Sequence, residues 1–354
     1  MTALGASVAT LALLGLAAVG WYVSSRAAVE ALVPRGRQPA PGRRALGEWL
    51  PAALVVIGAV IVGRPEIAVG VIFATSVAAL TLVLGIVTIA ARHTEPTIPT
   101  RRMWGFVLST AMITLLIGFS GGFRWIHIPV LLLQGAALVL LWNDLPSGPA
   151  AEAMQVSGRS GGWRFALILL ALLAGVVAAW AGIVAARDLS HHLELPGAGL
   201  VSALMLSPAL VLPMIGSGSL LASNGRYDEV VQAKVGFVLL NLLALLPLAT
   251  LLWLTRPAWS TSVNDLYVAS LSGRDEAAPT TLPTTAPESV EIDPVPTALA
   301  FPLAVWRVDT VMLVTLGLLL LPVALGRWSI GMGEGYGLII AYTIYMVMTA
   351  ILAR

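Results

Sequence analysis

Apolar residues run along this chain in blocks of about 15 to 27, separated by short polar, charged or Gly/Pro-containing breaks. Setting blocks against breaks predicts ten spans, near residues 3–23, 49–63, 65–91, 104–122, 125–143, 163–186, 197–222, 229–254, 305–326 and 333–353. At about 1.5 Å per residue such blocks suit helices crossing roughly 30 Å of hydrocarbon, and they neither alternate nor stop early enough for barrel strands. The predicted class is therefore all-α and polytopic. The first span has no basic residue before it and no polar stop before Arg26, so it reads as a retained helix and not as a cleaved signal peptide. Two stretches read as non-membrane. Residues 144–162, rich in Pro, Gly and Ser, are expected to be a cytoplasmic linker between an N-terminal half (1–143) and a C-terminal half (163–354). Residues 256–302, rich in Pro, Thr and acids, are expected to be a largely disordered external loop able to dock a protein partner.

The blocks repeat. Leu50-Pro51, eleven residues and Gly63-Arg64-Pro65-Glu66 recur 162 residues later as Leu212-Pro213, eleven residues and Gly225-Arg226-Tyr227-Asp228. Each copy, 49–91 and 197–254, is an apolar helix ending in a Gly-Arg turn that runs into a long apolar helix. The copies lie five crossings apart, and an odd offset makes them traverse the membrane in opposite directions. Inverted helix-pair repeats are how many secondary transporters build a midplane site.

Composition sharpens this picture. The 354 residues are 58% hydrophobic and 11% charged, with mean hydropathy +0.90, which excludes a soluble globular domain. No cysteine is present and the four histidines are scattered, so no metal centre or resident cofactor is expected beyond a transported cation. The net charge of +2 comes without a basic cluster interleaved with aromatics, which argues against nucleic acid. No G-x-S-x-G or Walker pattern supports an enzyme. Thirteen basic residues fall on one side of the ten-span scheme and seven on the other. The positive-inside rule then places both termini outside a cell inner (plasma) membrane.

The organisation resembles the cation/calcium antiporter superfamily, the sodium/calcium exchangers and their relatives. The frame Leu50-Pro51, Gly63-Arg64-Pro65-Glu66, Gly70, Ala74-Thr75-Ser76 and Leu84-Gly85 carries the resemblance in the first copy; Leu212-Pro213, Gly225, Gly236 and Leu245-Leu246 carry it in the second. The resemblance implies ten helices in two inverted five-helix halves. It also implies cation binding by a carboxylate after each repeat proline, but those positions are Ala52 and Met214 here. The amide positions are changed too. Six to eight oxygens, several anionic, are what Ca²⁺ requires, and this chain lacks them.

The candidate binding residues are accordingly Thr75, Ser76, Ser217, Ser219, Asn241 and Lys234. Lys234, the single lysine, lies eight residues beyond Arg226. It reads either as an internal counter-ion titrating with Glu66, Asp228 or Glu229, or as a lysine reaching back to the headgroups. Glu66, Asp228 and Glu229 are gate candidates, with helix-end capping as the plainer role. Asn241 and the serines are candidates either for solute binding or for joining helices. Two functions are expected to compete: a secondary transporter of a cation or small solute with a non-standard site, and a non-transporting pseudo-exchanger serving as membrane scaffold or assembly partner.

Overall fold

The computed structural model describes residues 3–32, 41–91, 93–94, 98–143, 161–192, 198–256, 298–300, 306–325 and 330–352. Most of the expected linker and of the 256–302 loop lies outside these residues.

Ten helical spans are present among the described residues. In chain order they are α1 (Ala3–Leu32), α2 (Pro41–Ile61), α3 (Pro65–Ala91), α4 (Ile98–Gly118), α5 (His127–Asn143), α6 (Gly161–His192), α7 (198–223), α8 (Tyr227–Thr255), α9 (306–324, interrupted at Leu320) and α10 (Met332–Leu352). Seven helices among the described residues are long and apolar enough to cross a membrane, and three shorter apolar helices complete the set. The protein is an all-α polytopic membrane protein with two inverted five-helix halves.

Four helices exceed their expected bounds by six residues or more, α4 by starting at Ile98. α1 continues to Leu32, α6 continues to His192, and α2 begins at Pro41, eight residues before its expected start. His191 and His192 therefore end α6. For α2 the reason is chemical. Arg43, Arg44 and Glu48 depress the hydropathy of its first two turns, yet the Arg44 guanidinium bonds Glu48 one turn along at 3.0 Å, and both side chains are buried. A charged stretch that reads as a break is thus helix.

The Gly-Arg turns and the π turns of α3 and α8 fall at the same 162-residue offset. Gly63 and Gly225 turn the chain with φ of +81° and +76°, a left-handed geometry that glycine adopts without a Cβ penalty. Arg64 and Arg226 follow as the residues capping α3 and α8. Fourteen residues into each helix an α-helical run gives way to one π-helical turn, Ala79–Val83 in α3 and Asn241–Leu245 in α8. Pro51 and Pro213 sit inside α2 and α7, where each removes a backbone donor.

Two short strand pairs tie the loops. β1 (His93–Thr94) pairs antiparallel with β4 (Ile330–Gly331), and β2 (Gly122–Phe123) with β3 (Leu299–Ala300). The first pair joins the α3–α4 and α9–α10 connections, and the second joins the α4–α5 and α8–α9 connections, so each pair links loops that the ten-span order puts at the same end. The core is centred on α3 and α8: Ile67–Ala74 of α3 and Val235–Leu239 of α8 are wholly enclosed, whereas α1, α5 and α6 present many exposed Leu, Val and Ile side chains outward. Where α3 and α7 start, they touch through backbone. A Cβ on Gly70 would lie 2.7 Å from the Gly199 carbonyl oxygen.

Candidate functional site

The candidate binding residues, Ser219 excepted, gather in two groups. In the first, α2, α7 and α8 meet. The Lys234 ammonium, from the second turn of α8, donates to Glu48 Oε2 on α2. Glu48 Oε1 also accepts from Arg44 Nε at 3.0 Å and from Ser217 Oγ of α7 at 3.3 Å. Ser217 additionally reaches the Pro213 carbonyl at 3.0 Å. Lys234 has no exposed surface and the Glu48 side chain is 2% exposed, so both charges are withdrawn from water and lipid. Removing such charges from water costs several kcal/mol each, which the pairing must offset.

This geometry corrects two expectations. Lys234 does not reach back to the headgroups; its stem runs past Gly218 into the protein, with Cε 3.9 Å from where a Cβ there would sit. Nor does it pair with Glu66, Asp228 or Glu229. Each of those acids is engaged within its own helix turn: Glu66 lies 3.7 Å from Arg64, Glu229 accepts from Arg226 Nε at 3.0 Å, and Asp228 accepts from Gln232 at 2.6 Å. The hydrogen bond to Glu229 holds the Arg226 guanidinium above its ordinary pKa.

The second group joins α3 to α8 at the start of the π turn. The Asn241 amide donates to Thr75 Oγ1 at 3.0 Å and Ser76 Oγ at 3.1 Å, and lies 3.4 Å from the Ile72 carbonyl. The hydroxyl protons of Thr75 and Ser76 go to the Val71 and Ile72 carbonyls of the preceding turn. Every donor is used, and Asn241 Oδ1 remains an acceptor without a partner. Ser219 belongs to neither group; its buried hydroxyl has no partner.

Ala52 and Met214 are 2% and 1% exposed and part of the apolar core. Glu48 precedes Ala52 by one helical turn, and Ser217 follows Met214 by nearly one. The charge is therefore displaced by a turn from the symmetric centre, and only toward one end. Under the 162-residue offset, Arg44, Glu48 and Lys234 correspond to Leu206, Leu210 and Ile72, and Ser217 corresponds to Val55. All four counterparts are buried and apolar. Glu48 and Arg44 were not found among the sequence candidates, because an acid near a helix start looks like a loop charge. The available signal was the i,i+4 spacing of Arg44 and Glu48 combined with the presence of one lysine needing a counter-charge.

The fold that carries these groups is that of the cation/calcium exchangers. The chain aligns over 98% of its length with 98% of the sodium-calcium exchanger NCX_Mj at TM-score 0.58 and 16% identity. It aligns over its full length with 86% of the H⁺/Ca²⁺ exchanger CAX at TM-score 0.64 and 12% identity, and over 98% with 92% of YfkE at 0.63 and 13%. No protein-family model matches the sequence, and no curated protein matches it either. The similarity is one of architecture, so the chemistry has to be argued from the residues.

Proposed function

We propose that this protein is a secondary transporter of the exchanger fold that moves a monovalent cation by alternating access in exchange for a proton, at a site centred on Glu48 and Lys234. The observation that carries the reading is the enclosed Lys234–Glu48 pair where α2, α7 and α8 meet. With each group in its ordinary charge state, Arg44, Glu48 and Lys234 sum to +1, which repels a divalent cation from the one carboxylate present. A cation reaches Glu48 only when Lys234 gives up its proton and its ammonium leaves. One proton out for one monovalent cation in keeps the buried charge constant, and that constancy avoids the desolvation cost of an unpaired ion. In this scheme Lys234 is the internal stand-in for the cation, Glu48 is the ligand, and Arg44 and Ser217 orient the carboxylate.

The one-sided placement of the charges supports gating. Inverted copies exchange conformations as access alternates. A pair that binds α2 to α7 and α8 near the Gly225 turn, with only apolar counterparts near the Gly63 turn, favours closure at the Gly225 end. By the positive-inside distribution that end is cytoplasmic, both termini being outside the inner membrane.

A second reading, a pseudo-exchanger acting as a scaffold, draws on the dry packing of Ala52 and Met214 in the apolar core. Flux separates the two. Purified protein in liposomes under an imposed Na⁺ or K⁺ gradient should move protons, read by an entrapped pH dye, and Lys234→Met should abolish the coupling. Folded wild type that moves neither protons nor cations, with Ca²⁺ included among the cations, would sink the transporter and leave the scaffold.

A further inference from the structure

A third polar cluster lies outside the repeat helices' shared face, where α9 and α10 meet the start of α7. Asp309 sits in the π turn that opens α9 and has no exposed surface. Both of its carboxylate oxygens are without a hydrogen-bond partner, as are the hydroxyls of its neighbour Thr310, of Tyr342, Tyr345 and Thr349 on α10, and of Ser207 on α7. These groups face one another. Tyr345 lies beside Asp309 and Thr349, Tyr342 lies beside Ser207, and the two tyrosine rings are 6.0 Å apart. All six residues are at most 7% exposed. Among the described residues no basic side chain pairs with Asp309.

A carboxylate enclosed without counter-charge is costly, and so is each orphaned hydroxyl. A proton on Asp309 would neutralise the carboxylate but, as a single donor, would draw in at most one of the surrounding hydroxyl oxygens. A desolvated monovalent cation answers for several at once, since it takes lone pairs from carboxylate and hydroxyl oxygens alike and leaves the cluster neutral. A divalent ion would leave an excess positive charge against a single carboxylate. We propose that Asp309, Tyr345 and Thr349, with Tyr342, Ser207 and Thr310 around them, form a binding site for a monovalent alkali cation of the sodium class. The site is separate from the Glu48–Lys234 pair and holds α10 against α9 and α7.

The test is binding of radiolabelled sodium to the full chain in detergent, with thermal unfolding followed in NaCl balanced by choline chloride at constant ionic strength. Wild type should retain sodium and unfold about 2 °C higher when the site is well saturated. Asp309→Asn, neutral and of the same shape, should lose both effects. Tyr345→Phe should weaken sodium binding about tenfold, and it carries the test if Asp309→Asn does not fold. Folded wild type that retains no sodium would overturn the proposal, as would retention unchanged in both variants. Stabilisation by acid alone, absent in Asp309→Asn and indifferent to sodium, would mean that a proton occupies the carboxylate, and would overturn it too. No flux is measured, so the result stands apart from the transport reading.

Discussion

Breaking the Lys234–Glu48 pair from either side should be asymmetric, and breaking it from both sides should cost less than breaking it from one. Lys234→Met removes the ammonium but leaves Glu48 with Arg44 at 3.0 Å and Ser217 at 3.3 Å, so the stranded carboxylate keeps two partners. The expected loss is about 3 kcal/mol, the lower end for a buried pair deprived of one member. Glu48→Gln is worse. It leaves an ammonium with no exposed surface facing Arg44 without an intervening negative charge, and the expected loss is about 5 kcal/mol. In the double variant Glu48→Gln/Lys234→Met no unpaired acid or ammonium remains, Arg44 can bond the glutamine oxygen, and the expected loss falls to about 2 kcal/mol, a coupling of several kcal/mol. The assay is a double-mutant cycle by reversible unfolding in mixed micelles, with helicity and a tryptophan signal followed together to check for a single transition. Additive losses in the double variant would refute the reasoning, because two charges that do not sense one another are not a pair.

Asn241→Leu should lower stability by about 1–2 kcal/mol in the same unfolding assay, because Thr75 and Ser76 lose the amide that joins α3 to α8 while keeping their bonds to the preceding turn. Gly70→Ala should cost more than its helix propensity suggests, about 1–3 kcal/mol, since its Cβ would meet the Gly199 carbonyl oxygen at 2.7 Å and backbone has to move; the control Gly216→Ala, with open space around it, should be neutral or slightly stabilising. Arg226→Gln should change stability by less than about 1 kcal/mol despite its hydrogen bonds to Glu229, because that pair is part-exposed, and the small effect should shrink further in high salt.

The spans, the repeat and its inversion were legible in the chain because they rest on local chemistry. Runs of Leu, Val and Ala dictate membrane helices. Gly63 and Gly225 sit where the backbone needs a positive φ, and a 162-residue offset relates both turns and both π turns. Ala52 and Met214 put no side-chain oxygen at the positions that follow the repeat prolines, and that much is plain from the chain alone. What the sequence could not determine is which charge answers Lys234. Its nearest acids in the chain, Asp228 and Glu229, are taken by Gln232 and Arg226, and its partner Glu48 lies 186 residues away in a stretch that hydropathy reads as a break. Asp309 poses the same difficulty: an acid five residues into an apolar block reads as a headgroup-level charge until α10 closes over it with Tyr345. In both cases the deciding quantity is the water removed from a charged side chain. That depends on helices packed from distant parts of the chain, and a one-dimensional pattern carries no measure of it.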